Sequence, residues 1–155
     1  EWVYVDPATA ANWVWTAFAG DDRRDLMDLV AQEWIGNEGP APLASWINSV
    51  GPHIALDGAI GMIALQTVDL DPAMAMVWAQ SLVDDDNRST LEIVLGRRWI
   101  KMAPQDAANR LPQYVRSESA RAALLEPEEP VYYAVEEEDY AEVEEDMEAD
   151  IEPVQ

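Results

Sequence analysis

The sequence predicts an all-α fold, a right-handed-type solenoid of helical hairpins followed by an acidic C-terminal extension. Three observations support this prediction. A proline recurs every 32 or 33 residues, two sets of apolar residues keep register with it, and no basic residue occurs after residue 126. A fixed period of this length is typical of stacked supersecondary units. The recurring prolines are Pro7, Pro40, Pro72 and Pro104.

Each recurring proline is predicted to begin the first helix of a unit. Proline at the first helical position loses no hydrogen bond and arrives with φ already fixed. Asp6 and Asp71 precede two of these prolines and suit a helix N-cap. Small or apolar residues stand three and four positions later. We expect the tryptophans six positions after the prolines to be buried anchors between hairpins: Trp13, Trp46 and Trp78.

A second helix is predicted to start about a dozen residues after each proline. Apolar residues at positions 19, 22, 23 and 27 after the proline have the i, i+3, i+4, i+8 spacing of an amphipathic helix. Position 27 holds Trp34 and Trp99, which we also expect in the core. The helical domain is therefore expected at 1–126, with the last unit acting as a polar C-terminal cap. Its units are expected at about 6–38, 39–70, 71–102 and 103–126.

The second unit contains three glycines that weaken its second helix, Gly51, Gly58 and Gly61. Glycine inside a helix costs about 1 kcal/mol relative to alanine. We expect close packing of a neighbouring first helix to explain them; a hinge is the alternative.

The sequence resembles the tetratricopeptide-type helical-hairpin solenoids, whose units have this length, because in each a proline is followed by an aromatic residue, here tryptophan, six positions later. The matching pairs begin at Pro7, Pro40 and Pro72, and the resemblance covers residues 1–126. It does not extend to the glycine and alanine positions that the family has inside the hairpin. The resemblance implies a stack of hairpins with an extended, concave surface for binding partners.

The first five residues resemble the end of a second helix. Trp2 precedes Pro7 much as Trp34 precedes Pro40 and Trp99 precedes Pro104. We therefore expect residues 1–5 to be the end of an upstream repeat; a single capping turn is the alternative.

The composition restricts the classes of partner. Thirty-one acids against nine bases give a net charge of −22, which repels phosphate backbones and anionic lipids. No apolar run approaches the roughly 20 residues that span a bilayer. We therefore expect protein partners, basic or groove-bearing, in a larger complex, without direct nucleic-acid binding or membrane insertion. The chain has no cysteine, which excludes disulfides and thiolate metal sites.

No motif predicts catalysis, a cofactor or a metal site. His53, the only histidine, has no accompanying nucleophile and is expected to be a surface residue at a helix start. The acidic run at 84–87 lacks the glycine and distant glutamate of a calcium loop and is expected to be a capping turn. The arginines are expected to bridge acids, with Arg24, Arg88 and Arg121 at nearly equivalent positions.

The acidic tail, residues 127–155, holds thirteen acids and no base. Its apolar residues from Tyr133 to Ile151 are spaced by 7, 3, 4 and 4, a narrow stripe that could fit a groove on a partner. A solvating acidic tail is the alternative. Trp15, which stands off the repeat column, is the tryptophan expected on the surface. The candidate partner-binding residues are Trp15, Tyr132, Tyr133, Tyr140, Val143, Met147 and Ile151.

These features predict a non-catalytic interaction scaffold or accessory subunit whose acidic tail docks on a partner. The alternative is an acidic inhibitor that imitates nucleic acid and occupies a basic DNA- or RNA-binding protein. Such an inhibitor should carry its carboxylates along the helical body. A carboxylate-only hydrolase is a third class, but no acid pair for it is identifiable.

Overall fold

The computed structural model of this protein describes residues 6–125, and all the regular structure in that range is helical, as predicted. Residues 1–5 and the acidic tail, with the predictions made for them, lie outside the described range. Short 3₁₀ turns occupy Ile54–Leu56 and Leu111–Gln113. The eight α-helices are α1 (Pro7–Ala17), α2 (Gly20–Glu38), α3 (Pro40–Val50), α4 (Asp57–Thr67), α5 (Pro72–Ala79), α6 (Asp85–Met102), α7 (Pro104–Arg110) and α8 (Glu118–Leu125).

Four of these helices begin at the recurring prolines: α1, α3, α5 and α7. The two aspartates act as N-caps, as predicted. Asp6 accepts a hydrogen bond from the backbone N–H of Thr9 at 3.0 Å, and Asp71 accepts one from that of Met74 at 2.9 Å. The prediction of helix starts at these prolines is therefore confirmed.

The helices pack in chain order. Helix α2 contacts α1, α3 and α4; α4 contacts α5 and α6; and α6 contacts α5, α7 and α8. One buried cluster lies mainly among α1 to α4 and a second among α4 to α8. Trp78 and Leu91 contact both clusters, so the described residues share one continuous core.

In the first helix of each pair, the residue buried in the core is the one at position 7 after the proline rather than the one at position 6. Trp13 is 49% exposed, and Trp46 and Trp78 are only partly buried. The prediction that position 6 is a core position is therefore wrong for Trp13. Positions 3, 4 and 7 share one helix face, whereas position 6 lies about 100° from position 7 around the axis. The residues buried at position 7 are Val14, Ile47, Ala79 and Leu111.

The buried stripe of the second helices also differs from the prediction. Positions 23 and 27 are in the core as expected, including Trp34 and Trp99. Position 22 is exposed in two units, with Leu29 at 60% and Val94 at 46%, whereas Met62 is partly buried against the core. Positions 20 and 24 take its place, which completes the usual i, i+3, i+4, i+7 stripe. The buried residues at those two positions are Met27, Ile60, Glu92, Ala31, Ala64 and Gly96.

The three glycines of the second unit have different explanations. Gly51 ends α3 with φ +90°, a conformation that favours glycine. Gly58 lies against the Asp28 carboxylate, so an added Cβ would be 2.1 Å from Asp28 Oδ1. At Gly61 an added Cβ would meet only Leu91, at 4.0 Å. Close packing therefore explains Gly58 alone, and the neighbour is the second helix α2 rather than a first helix.

Gly58→Ala is expected to lower the free energy of unfolding by about 1–3 kcal/mol, because the new methyl group overlaps the Asp28 carboxylate. Gly36→Ala, in open space within α2, should instead raise it by up to about 1 kcal/mol. Urea denaturation of both variants checks this. In an Asp28→Ala background the penalty of Gly58→Ala should disappear. Equal effects of Gly58→Ala in the two backgrounds would contradict the overlap.

Candidate interaction surfaces

Three arginines hold the connection between the first and second helix of a pair. Each donates a hydrogen bond to a backbone carbonyl five or six residues earlier, which fixes the turn. Arg24 instead pairs with Asp21 at 2.9 Å, one of the predicted bridges to acids. Arg23 therefore replaces Arg24 in the set of equivalent arginines. The bonds run from Arg23 to Phe18 (2.8 Å), Arg88 to Leu82 (3.2 Å) and Arg121 to Val115 (2.8 Å).

Two buried carboxylates join successive helix pairs. Asp57 accepts from the backbone N–H groups of Val83 and Asp84, both at 2.9 Å. Glu92, fully buried, accepts from those of Arg116 at 3.2 Å and Ser117 at 3.0 Å. These donors stand just before α6 and α8, so each carboxylate satisfies backbone groups at the start of the next second helix. Both acids are therefore engaged in structural contacts.

Asp28 is at the corresponding junction between α2 and α4. Burial raises the pKa of its carboxyl, and the charge of Asp25 raises it further. Its Oδ1 atom is buried and has no hydrogen-bond partner among the described residues. The ionised form is therefore disfavoured in the folded protein.

Asp28→Asn is expected to raise the free energy of unfolding at neutral pH by less than about 1 kcal/mol, because solvent still screens part of this half-exposed carboxylate. A raised folded-state pKa gives stability that is present below the unfolded pKa, about 3.8, and is lost as pH rises through the folded value. The gain from the substitution should therefore grow from pH 3 upward and level off. Urea denaturation across this range, with Glu33→Gln as control, measures it. A gain that does not change with pH would contradict the assignment.

Trp15 is partly buried rather than on the open surface. Its ring lies 4.7 Å from the Arg23 guanidinium, 5.0 Å from the His53 ring and 6.0 Å from the Trp46 ring. Trp13, expected in the core, is the more exposed of the two. The role of Trp15 in partner binding stays a prediction. The other predicted partner-binding residues, all in the acidic tail, lie outside the described range: Tyr132, Tyr133, Tyr140, Val143, Met147 and Ile151.

His53 and the acidic run at 84–87 have capping roles. His53 Nδ1 accepts from the backbone N–H of Ala55 at 3.0 Å, at the start of the first 3₁₀ turn. Asp84 accepts from the backbone N–H of Asn87 at 2.8 Å and caps α6. The prediction that the run is a capping turn is confirmed.

Among the described residues, the surface of three first helices differs from that of the second helices in its lack of charge. Helices α1, α3 and α5 contain no charged residue, whereas α2 and α6 contain eight and seven. The indole N–H of Trp46 on α3 donates to Asn12 Oδ1 on α1 at 2.9 Å, which joins these two helices at one point. We name the exposed side chains of α1, α3 and α5 the first-helix surface; they include Asn12, Trp13, Ser45, Asn48, Met74 and Val77.

A second candidate surface is an apolar groove of about 460 Å³ at the C-terminal end of the described residues. It lies among α6, α7, α8 and the second 3₁₀ turn. Of the described residues that line it, Arg121 alone is charged. Its volume is within the range of ligand pockets, and we name it the end groove. The lining residues are Ile100, Pro104, Ala107, Ala108, Leu111, Pro112, Val115, Arg121 and Leu124.

No family model, curated protein or solved structure matches this chain. Within residues 6–125, no three acidic or histidine side chains are grouped so that they could hold a metal ion. Over the same range, no helix has the length and apolar character needed to cross a bilayer. The two surfaces defined above are therefore the candidates from which a function can be argued.

Proposed function

We propose that this chain is a non-catalytic protein–protein interaction scaffold or accessory subunit of a larger assembly. The observation that carries the proposal is the first-helix surface: three helices without a charged residue in a protein of net charge −22. Charged residues are depleted in the cores of protein interfaces, whereas aromatic residues and methionine are enriched. Trp13 and Met74, 49% and 47% exposed, are residues of this kind.

In this proposal the helix pairs are copies of one tetratricopeptide-like unit stacked as a solenoid. The support is that helices begin at four evenly spaced prolines and that position 7 is buried after each of them. Solenoids bind partners on extended surfaces formed by successive units. The first-helix surface, drawn from three successive pairs, suits such a use.

The acidic tail would provide a second contact in the same assembly. Its thirteen carboxylates favour a partner surface rich in lysine and arginine, and its apolar residues favour a groove. The proposed contact residues are the apolar ones named from the sequence, Tyr132 to Ile151.

Photo-crosslinking in the cells that produce the protein tests the proposal. A photoreactive amino acid is placed at position 74 or 77 on the first-helix surface, and at position 29 or 94 on the second helices as control. The four native side chains are 47%, 43%, 60% and 46% exposed, so accessibility is matched. We expect adducts of defined mass from positions 74 and 77, and few from positions 29 and 94.

Three further variants separate the two contacts. Met74→Glu should abolish the adduct formed at position 77, because it puts a charge into the interface; Val94→Glu should not. Removal of residues 127–155 should weaken capture of the same partner. Equal labelling from both pairs of positions, or partners retained after loss of both the surface and the tail, would refute the scaffold.

The nucleic-acid mimic is a second candidate, favoured by the distribution of charge in the first half of the body. Residues 6–71 contain ten acids and two bases, and Asp21, Asp22 and Asp25 are exposed on α2. Competition with DNA for a basic DNA-binding protein distinguishes the two candidates. A mimic should still compete after residues 127–155 are removed, whereas a scaffold with a docking tail should not.

A further inference from the structure

We propose that the end groove binds residues 140–151 of the same chain, so that the acidic tail folds back onto its own helical body. This goes beyond the proposed function: the segment would occupy the groove in the free protein and would have to leave it for the tail to dock on a partner, so it can be tested in the absence of any partner. Three observations support it: the apolar lining of the groove, the charge around it and the point where the chain leaves α8.

The lining of the groove is suited to apolar side chains on a peptide segment. Two apolar residues of the groove wall are exposed: Ile100, at 38%, and Ala108. Amphipathic segments bind such grooves through residues spaced by three and four. Tyr140, Val143, Met147 and Ile151 have the spacings 3, 4 and 4. A segment of this kind would cover the exposed apolar wall.

The charge around the groove is opposite to that of the tail. Residues 97–121 hold six of the nine basic residues of the chain and only two acids. The tail holds thirteen acids and no base. Complementary potentials favour encounter and set orientation. Of these six bases, Arg121 lines the groove; the other five are exposed along the stretch of chain that forms it, and two of them pair with acids, Arg98 with Asp69 and Arg110 with Asp106.

The point of attachment favours binding within one molecule. Leu124 lines the groove, and α8 ends one residue later at Leu125. The fourteen residues from 126 to 139 span at most about 50 Å when fully extended, which is long enough for the segment to return to the groove. The covalent link makes this binding intramolecular, which favours it over binding between two chains at low protein concentration. Two copies, each with a net charge of −22, would in contrast repel each other.

Paramagnetic relaxation in the full chain tests this inference. The protein has no cysteine, so Met147→Cys gives one site for a nitroxide label. We expect the amide signals of Ala107, Leu111 and Leu124 to lose most of their intensity, while that of Val14 is unchanged. High salt should restore part of the lost intensity, since exposed charges are screened.

Variants of the full chain check that the groove itself is the binding site. Ala108→Glu introduces a negative charge into the groove at an exposed position and should abolish the intensity loss. Ala41→Glu, at an exposed position on α3, makes the same chemical change away from the groove lining and should leave the loss intact.

A mixture of labelled and isotope-enriched unlabelled chains distinguishes the other occupants. Loss of groove signals in that mixture would show the tail of a second copy in the groove and would overturn the intramolecular inference. Groove signals that lose no more intensity than Val14 in the labelled chain would overturn it as well.

Discussion

Trp99→Ala is expected to lower the free energy of unfolding by about 3–5 kcal/mol, the usual range for truncating a fully buried tryptophan. Trp99 is 0% exposed. Its indole N–H donates to Asp106 Oδ2 at 2.9 Å, and its ring lies 5.8 Å from that of Tyr114. The substitution removes these contacts between α6 and the last helix pair and leaves a cavity. Urea denaturation followed by circular dichroism measures the effect.

Trp13→Ala is the matched control, because it removes the same side chain from a half-exposed position. Less apolar area returns to water there, so the expected loss is under about half that of Trp99→Ala. A loss at Trp13 as large as that at Trp99 would contradict the burial difference between positions 6 and 27. Both variants should retain their helical far-ultraviolet spectrum below the transition.

Glu92→Ala is expected to lower the free energy of unfolding by about 3 kcal/mol. The carboxylate accepts from the backbone N–H groups of Arg116 and Ser117, and its removal leaves two partly buried donors without this acceptor. Each unsatisfied buried donor costs about 1–3 kcal/mol. The other buried positions of the second helices hold mainly apolar residues, so replacing a polar residue among them would ordinarily stabilise the protein. For Glu92 we expect the replacement to destabilise it. Urea denaturation gives the magnitude.

Three further substitutions test this interpretation of Glu92. Glu92→Gln keeps one oxygen acceptor and should cost less than Glu92→Ala. Glu33→Ala should change stability by less than about 0.5 kcal/mol, since Glu33 makes no hydrogen bond or ion pair with other described residues. If Glu92→Leu proved more stable than the native protein, apolar packing would outweigh the hydrogen bonds and the prediction would be wrong.

The all-α class and the helix starts could be predicted from the sequence because their causes are local. Proline at the first helical position and aspartate before it determine a helix start without tertiary contacts. The burial register could not be predicted in the same way. Large apolar residues were expected in the core, whereas Leu29 is exposed and Glu92 is fully buried. Glu92 is buried because it satisfies backbone donors from another helix, a contact with no signature in the sequence.

Only part of the candidate surfaces could be predicted from the sequence. The lack of charge in α1, α3 and α5 can be seen once helix bounds are known, but which of their residues are exposed depends on packing. Trp15 was expected on the surface because it falls outside the tryptophan column; it is partly buried, in contact with Arg23 on α2 and with His53 just before the first 3₁₀ turn. The end groove is built from three helices and a turn, so no single stretch of sequence predicts it.

The carboxylates of Asp57 and Glu92 have a consequence for how the molecule melts. Each one makes the start of a later helix depend on an earlier one, which couples the second pair to the third and the third pair to the fourth. Strong coupling of this kind suppresses partly folded species in which one end has frayed while the other persists. Thermal unfolding of the helical body is therefore expected to be a single cooperative transition, with calorimetric and van't Hoff enthalpies that agree.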